Sequence, residues 1–267
     1  MVRSRPVAPP QLAWQGSLLD GGEPSVDTAF GGARRVDLGS GAWVDVVPGW
    51  LSGSGPLFED LLARAAWRER EVPMYDQVLP EPRLTCWWGD GEEHAWPTVA
   101  HAMAAALGAR YGTRFDALGA NLYRDGSDSV AWHGDRVLRE QDQALVAVVS
   151  LGSTRRFLLR PTGGGPSRRF DPGPGDLLVM GGTCQRTWQH SVPKTARPIG
   201  PRLSLMLRHR RALDQVSDAS TAASNSSMRS RSTSRLAAQN ASSATSMPKR
   251  AASVAASPSP VAESRSS

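Results

Sequence analysis

The apolar and polar positions of the chain change period partway along it. Leu57, Leu61, Leu62 and Ala65 share one face at helical spacing, with Pro56 near the start, which predicts an amphipathic helix over residues 56–70. Val99, Met103, Leu107 and Tyr111 recur every four residues and Gly112 follows, which predicts a second helix over 98–111. Residues 36–38 and 42–47 read as short strands ended by Pro48-Gly49, and 81–90 as a strand running into a Gly-Asp-Gly turn. From residue 117 the period is two. Strands are expected over 145–151, 155–160, 176–180 and 202–208, separated by Gly152-Ser153, Gly163-Gly164-Gly165-Pro166 and Pro172-Gly173-Pro174-Gly175.

Short strands between Gly/Pro turns imply an antiparallel sandwich or barrel rather than a doubly wound sheet. With two helices ahead of them, the expected fold is mainly β with flanking helices (α+β). Its core would be a double-stranded β-helix, or jelly roll, carrying the helices on its outside.

Composition sets the boundaries. Residues 1–12 are Pro-rich and expected to be loose, 13–212 should form the folded domain, and 213–267 are different material. That last segment has 17 Ser among 55 residues and almost no large apolar side chains, so it cannot bury enough surface to offset its ordering entropy. Its six Lys/Arg against three acids supply half of the net charge of +6. A disordered tail is expected, with no chemistry beyond a weak electrostatic tether.

The basic balance favours an acidic partner, nucleic acid first. Cys86 and Cys184 belong to no C-x-x-C pair, so a disulfide framework is not expected and a reducing compartment fits. Neither a secretory leader nor a membrane-spanning run is visible in the sequence, and a cytoplasmic protein with no membrane partner is expected.

The candidate chemistry lies in His133-Gly134-Asp135, the later His190, and Arg202 and Arg208 beyond it. Two His and one carboxylate are the ligand set of a non-haem Fe(II) centre with open positions. Each element alone has an ordinary reading: a surface His-x-Asp pair, a core histidine, two charges flanking an edge strand. Their order and spacing together favour a site. A guanidinium after the second His can hold the distal carboxylate of 2-oxoglutarate as a two-pronged donor. At period two His133 and Asp135 would face one side of a strand, as would Asn121 with Tyr123, and Arg202 with Ser204, Met206 and Arg208. So many polar groups inside one barrel imply a bound ligand.

From about residue 78 to 208 the chain resembles the AlkB-type Fe(II)/2-oxoglutarate-dependent dioxygenases, which repair alkylated bases. The likeness is carried by Pro82-Arg83-Leu84-Thr85-Cys86-Trp87-Trp88-Gly89, Asn121-Leu122-Tyr123-Arg124-Asp125 and Trp132-His133-Gly134-Asp135. It continues through Ser150-Leu151-Gly152, Gly175-Asp176-Leu177-Leu178-Val179-Met180, Trp188-Gln189-His190 and Pro201-Arg202-Leu203-Ser204-Leu205-Met206-Leu207-Arg208. The resemblance implies that His133, Asp135 and His190 ligate iron, and that Asn121, Tyr123, Arg202, Ser204 and Arg208 bind 2-oxoglutarate. It implies substrate contacts at Arg83, Trp88 and Trp132, with Trp87 turned into the core. The implied reaction is oxidative demethylation of N-alkylated bases such as 1-methyladenine and 3-methylcytosine, releasing formaldehyde, succinate and CO₂. The partner would be alkylated DNA, or RNA, acted on by a monomer.

The chain departs from the family in three places. Val137 stands where many members have an acidic residue that reads the base edge, residues 90–98 are shorter than the family's hairpin loop, and Ser204 replaces an Asn seen in some relatives. The competing expectations are a 2-oxoglutarate oxygenase acting on another substrate, a nucleic-acid-binding module without turnover, and a jelly-roll metal protein without turnover.

Overall fold

The computed structural model describes residues 3–14, 16, 20–74, 77–89, 92, 95–135 and 144–209. The chain divides into two units, Met1–Arg211 and Ala212–Ser267. The second unit, with the expected tail, lies outside the described residues, as does Val137.

The elements of the first unit run β1 (Arg3–Pro6), β2 (Ser25–Val26), β3 (Arg34–Gly39), β4 (Ala42–Val47), β5 (Leu51–Ser52), α1 (Ser54–Arg64), β6 (Arg68–Met74), β7 (Gln77–Trp88) and α2 (Thr98–Tyr111). They continue as β8 (Ala117–Tyr123), β9 (Val130–His133), β10 (Val146–Gly152), β11 (Phe157–Pro161), β12 (Arg168–Phe170), β13 (Leu177–Gly182), α3 (Cys184–Thr187), β14 (Trp188–Val192) and β15 (Arg202–Arg208). A nine-stranded sheet has the order β1-β6-β7-β8-β15-β10-β13-β4-β3, and a four-stranded sheet the order β12-β11-β14-β9. The pairings are antiparallel. Crossovers such as β8 to β15 and β14 to β9 make the two sheets the halves of a jelly roll.

Alternation on the central strands builds two cores. Leu203, Leu205 and Leu207 of β15, Leu118, Ala120 and Leu122 of β8, and Ala147, Val149 and Leu151 of β10 pack outward against Leu57, Phe58 and Leu61 of α1 and Met103 and Leu107 of α2. The intervening Val146, Val148, Tyr123 and Met206 face Phe157, Leu159, Val130 and Val192 of the small sheet. Both faces of the large sheet are therefore covered, one by helices and one by strands. The polar residues 202, 204 and 208 of β15 share their phase with Met206 and so point between the sheets.

The second helix forms where its spacing predicts. Gly112 takes the left-handed conformation (φ 67°) and donates to the Gly108 carbonyl at 2.9 Å, closing the last turn. The first helix starts and ends earlier than predicted. The Asp20 carboxylate accepts from the Ser54 and Gly55 amides, and the chain turns extended at Ala65 so that Trp67 drops into the core, 1% exposed. Arg68-Glu69-Arg70, expected as the end of that helix, instead alternates as part of a strand, with Glu69 paired to Arg5. That pairing also corrects the expectation of a loose segment over 1–12: residues 3–6 form β1 on the edge of the large sheet. The short β12, β14 and α3 were not foreseen. Cys86 and Cys184 are buried free thiols, pushed up to about 11 and about 12 by that burial.

Candidate active site

Between the two sheets lies a cavity of about 270 Å³. It gathers most of the predicted residues. Asn121 and Tyr123 reach it from β8, Ser204 and Arg208 from β15, Arg83 from β7, and His133, Asp135 and His190 from the small-sheet side. The register explains the convergence, because Tyr123 stands opposite Arg202 and Asn121 opposite Ser204.

The two imidazoles come together because β9 and β14 pair with His133 opposite His190. Their ring centroids are 4.2 Å apart, and His190 stacks on Phe157 at 5.4 Å. His133 Nδ1 stands 2.8 Å from the Ala131 carbonyl; donating there leaves Nε2 as the free lone pair. Burial holds His190 well below the ordinary imidazole range, with His133, Arg208 and Arg83 adding to it. His133 keeps one side open, but burial of the rest of the ring lowers it as well, helped by Arg83 and Arg208 against Ala131 and Asp135. Both rings are therefore neutral donors at pH 7, the form that binds a metal.

Asp135 lies beyond the end of β9, so it reaches the same cavity as His133 from the following loop and not from a shared strand face as predicted. Its amide donates to Gln185 Oε1 at 3.1 Å, and α3 thereby carries a buried residue that places the carboxylate. Asp135 Oδ2 is 2.8 Å from Arg208 Nε, yet the approach is too oblique for a hydrogen bond, and both atoms are buried without a hydrogen-bond partner among the described residues. Among those residues no three His, Cys, Asp or Glu are placed so that together they could hold a metal ion. The cavity offers two facing imidazoles and a carboxylate oxygen whose one partner among the described residues is a badly aligned cation. That donor set suits a divalent ion.

Arg202 is fully buried. Its Nη2 donates to Ser150 Oγ at 2.9 Å, while Nε and Nη1 have no partner among the described residues. Burial pulls the guanidinium down to about 10, which still leaves it charged at pH 7. Arg202 is not among the residues that line the cavity, but a buried fork with two idle donors suits a carboxylate. Tyr123, whose ring centroid is 5.6 Å from that guanidinium, is 2% exposed and forms part of the same wall.

Two substrate-contact predictions are corrected. Trp88 shares its phase with Leu84 and Cys86 and packs against the helix-side core. Trp87 points to the cavity instead, 43% exposed, with Arg208 over its ring at 4.7 Å. It lies flat because it faces Gly119, where a Cβ would stand 2.4 Å from the ring. Trp132 turns to the outer face of the small sheet, where Arg160 covers it at 4.3 Å. As the neighbour of His133 on β9 it faces the opposite side of the strand. Arg83 does line the cavity, with Nη2 3.1 Å from Glu81 and Nε without a hydrogen-bond partner among the described residues. A larger hollow of about 1110 Å³ lies on the helix side around Trp88 and Trp96, but it brings together neither the His pair nor the arginines.

A profile of the 2OG-Fe(II) oxygenase superfamily matches residues 47–214. Alpha-ketoglutarate-dependent dioxygenase alkB homolog 3 of Bos taurus is 30% identical over 62% of this chain and 65% of its own length, so the chain spans just under two thirds of that relative. DNA oxidative demethylase ALKBH2 of Arabidopsis thaliana is 27% identical over 66% of this chain and 68% of its own length. The solved structure of OsALKBH1 aligns over 66% of this chain and 100% of its own, at 17% identity and a TM-score of 0.47. With the profile covering more than half of the sequence, the chain belongs to the 2OG-Fe(II) oxygenase superfamily, and the relatives it resembles in sequence are AlkB homologues.

Proposed function

We propose that the chain oxidatively demethylates N-alkylated bases, such as 1-methyladenine and 3-methylcytosine, in DNA or RNA. The observation that carries this reading is a metal-type donor set in the cavity together with a buried arginine next to the cavity's Tyr123, although that arginine does not itself line the cavity. A neutral His pair with an under-partnered carboxylate suits a metal, and beside it a buried arginine with two idle donors suits a keto-acid. His133, Asp135 and His190 would hold Fe(II). Arg202, with Ser150 behind it and Asn121, Tyr123 and Ser204 around it, would hold the distal carboxylate of 2-oxoglutarate, and Arg208 would orient Asp135. Iron with 2-oxoglutarate and O₂ supplies the oxidising power to hydroxylate an N-methyl group, after which formaldehyde is lost and succinate and CO₂ are left.

The protein's share is placement. Val146, Val148, Met180 and Met206 line the cavity with apolar surface that excludes water. A base inside a duplex cannot reach this depth, so the nucleotide must be extruded or already single-stranded. The half-exposed Trp87 offers an aromatic face at the cavity, and Arg70 and Arg83 offer positive charge beside it. The relatives named as DNA oxidative demethylases support nucleic acid as the substrate class.

The test is release of formaldehyde and succinate from methylated oligonucleotides supplied with Fe(II) and 2-oxoglutarate. Both products are expected with native protein and neither with His133→Ala. Succinate that methylated oligonucleotides do not stimulate would retain the oxygenase and reject the nucleic-acid substrate. No succinate under any condition would reject the reaction.

A further inference from the structure

Arg155 lies in the short connection between β10 and β11 and is 3% exposed, while its neighbour Arg156 is exposed. A guanidinium taken out of water must find acceptors for its N–H groups. Arg155 finds three backbone carbonyls: Nη1 donates to Asp125 at 2.7 Å, and Nη2 donates to Asp128 at 2.9 Å and to Pro193 at 2.8 Å. None of these belongs to the strands on either side of Arg155. Asp125 and Asp128 are in the loop that leads into β9, and Pro193 follows β14 directly.

Those two loops also meet each other. The Thr195 amide donates to the Gly126 carbonyl at 2.9 Å, and a Cβ on Gly126 would stand 2.4 Å from the Thr195 carbonyl oxygen. The first loop is wound tight on its own carboxylates. Asp128 accepts from the Arg124 amide and guanidinium, and Asp125 from the Ser127 amide and hydroxyl. Arg155 thus grips two pre-formed loops with one planar fork.

The strands beyond those loops need such a grip. β9 and β14 pair at Val130–Val192 and His133–His190, with an irregularity between the two positions. A short, bulged ladder specifies its own register weakly, and a one-residue slip would turn a histidine to the other face. We propose that Arg155 is the positioning residue that sets this register. By tying the chain just before β9 and just after β14 to one guanidinium, it fixes the two imidazoles relative to each other. It touches neither imidazole. The inference rests on the reading of His133 and His190 as metal ligands.

Co(II) binding to the full chain, followed by the visible absorption of the bound ion, tests it without turnover. Lysine keeps the charge but cannot serve three carbonyls from one plane. Arg155→Lys is expected to melt near the native temperature, to bind Co(II) about tenfold more weakly and to shift the absorption band, as loss of an outer support typically does. Arg155→Ala, where it folds, should regain affinity on addition of methylguanidinium. Leu61→Ala in the helix-side core serves as the control, with a lower melting temperature and unchanged Co(II) affinity. Native affinity and spectrum in Arg155→Lys, or affinities that simply follow melting temperature across all three variants, would overturn the proposal. Native protein that binds no Co(II) would instead overturn the reading of the histidines, and the role of Arg155 with it.

Discussion

Along β15 the two faces of the large sheet can be compared residue by residue. Leu203, Leu205 and Leu207 are fully buried under the helices. Arg202 and Ser204, in the opposite phase of the same strand, are as deeply buried on the other face. Burial is thus equal while chemistry is opposite. On the helix side apolar side chains meet apolar side chains, and the unpartnered polar atoms there, among the described residues, are neutral indole N–H groups of Trp14, Trp50 and Trp96. The strand side leaves Arg202 Nε and Nη1, Asp135 Oδ2 and Arg208 Nε without hydrogen-bond partners among the described residues. A fold keeps buried polar groups unsatisfied where something else is to satisfy them. The comparison therefore separates residues that make the fold from residues that make the site, and substitutions on the two faces should fail in different ways.

The largest contrast is expected at the metal side. His133 sits partly open at the cavity, so His133→Ala should leave the melting temperature near native while formaldehyde release disappears. A variant that melted well below native would make His133 a structural residue and weaken the division between the faces.

The helix side was the more legible half in the sequence, for a physical reason. β15 and α2 are predicted within their observed limits because their apolar period is unbroken and Gly112 marks the helix end. β6 was hidden because its Arg/Glu alternation carries no apolar signal and takes its meaning from β1 and β7 beside it. The site residues were found through their order along the chain, but their phase was not always read correctly. Arg83 and Thr85 are polar and Leu84 and Cys86 apolar, so period two alone would have put Trp88 with the core and Trp87 with the site. The same alternation would have put Trp132 on the face opposite its neighbour His133. Arg155 and Arg156 look alike in sequence, and only the loops that close over one of them tell them apart.

Arg202→Met should produce the next largest effect and the clearest split. Losing one partner of a buried charged contact implies a rise in the apparent KM for 2-oxoglutarate of about a hundredfold or more. Without ligand, an apolar side chain of similar length should be neutral or stabilising by about 1–4 kcal/mol, because it removes an underpaired buried charge. Saturating 2-oxoglutarate should stabilise the native protein by about 2.7 kcal/mol at a hundred times its Kd and leave the variant unmoved. Calorimetry with and without the keto-acid checks both halves. A variant that is strongly destabilised and still responds to 2-oxoglutarate would move Arg202 to the structural face.

Leu205→Ala is the mirror experiment. Leu205 is fully buried, so its truncation should cost about 2–5 kcal/mol through lost contacts and the cavity left behind. At a temperature where the variant remains folded, its KM for 2-oxoglutarate should match the native value. Denaturant titration and steady-state kinetics measure the two quantities separately. A raised KM would mean that the helix-side core transmits strain to Ser204 and Arg202 beside it.

The smallest effect should come from the adjacent tryptophans, and it puts the comparison on a single pair of neighbours. Stacking of a base on an aromatic ring contributes about 1–3 kcal/mol, so Trp87→Ala should lower kcat/KM for a methylated oligonucleotide by about tenfold to a hundredfold. The KM for 2-oxoglutarate should not change, because Trp87 is not part of the Arg202 socket. Trp88→Ala should do the reverse: a lower melting temperature, since the ring packs against the helix-side core, with kcat/KM kept. Gly119→Ala refines the test, as the added methyl would collide with the Trp87 ring and tilt it away from the cavity without removing it. If Trp87 is the stacking surface, Gly119→Ala should lose activity on the oligonucleotide together with Trp87→Ala. If Trp88→Ala loses it instead, the base is held from the helix side, and the phase assigned to β7 has no bearing on substrate binding.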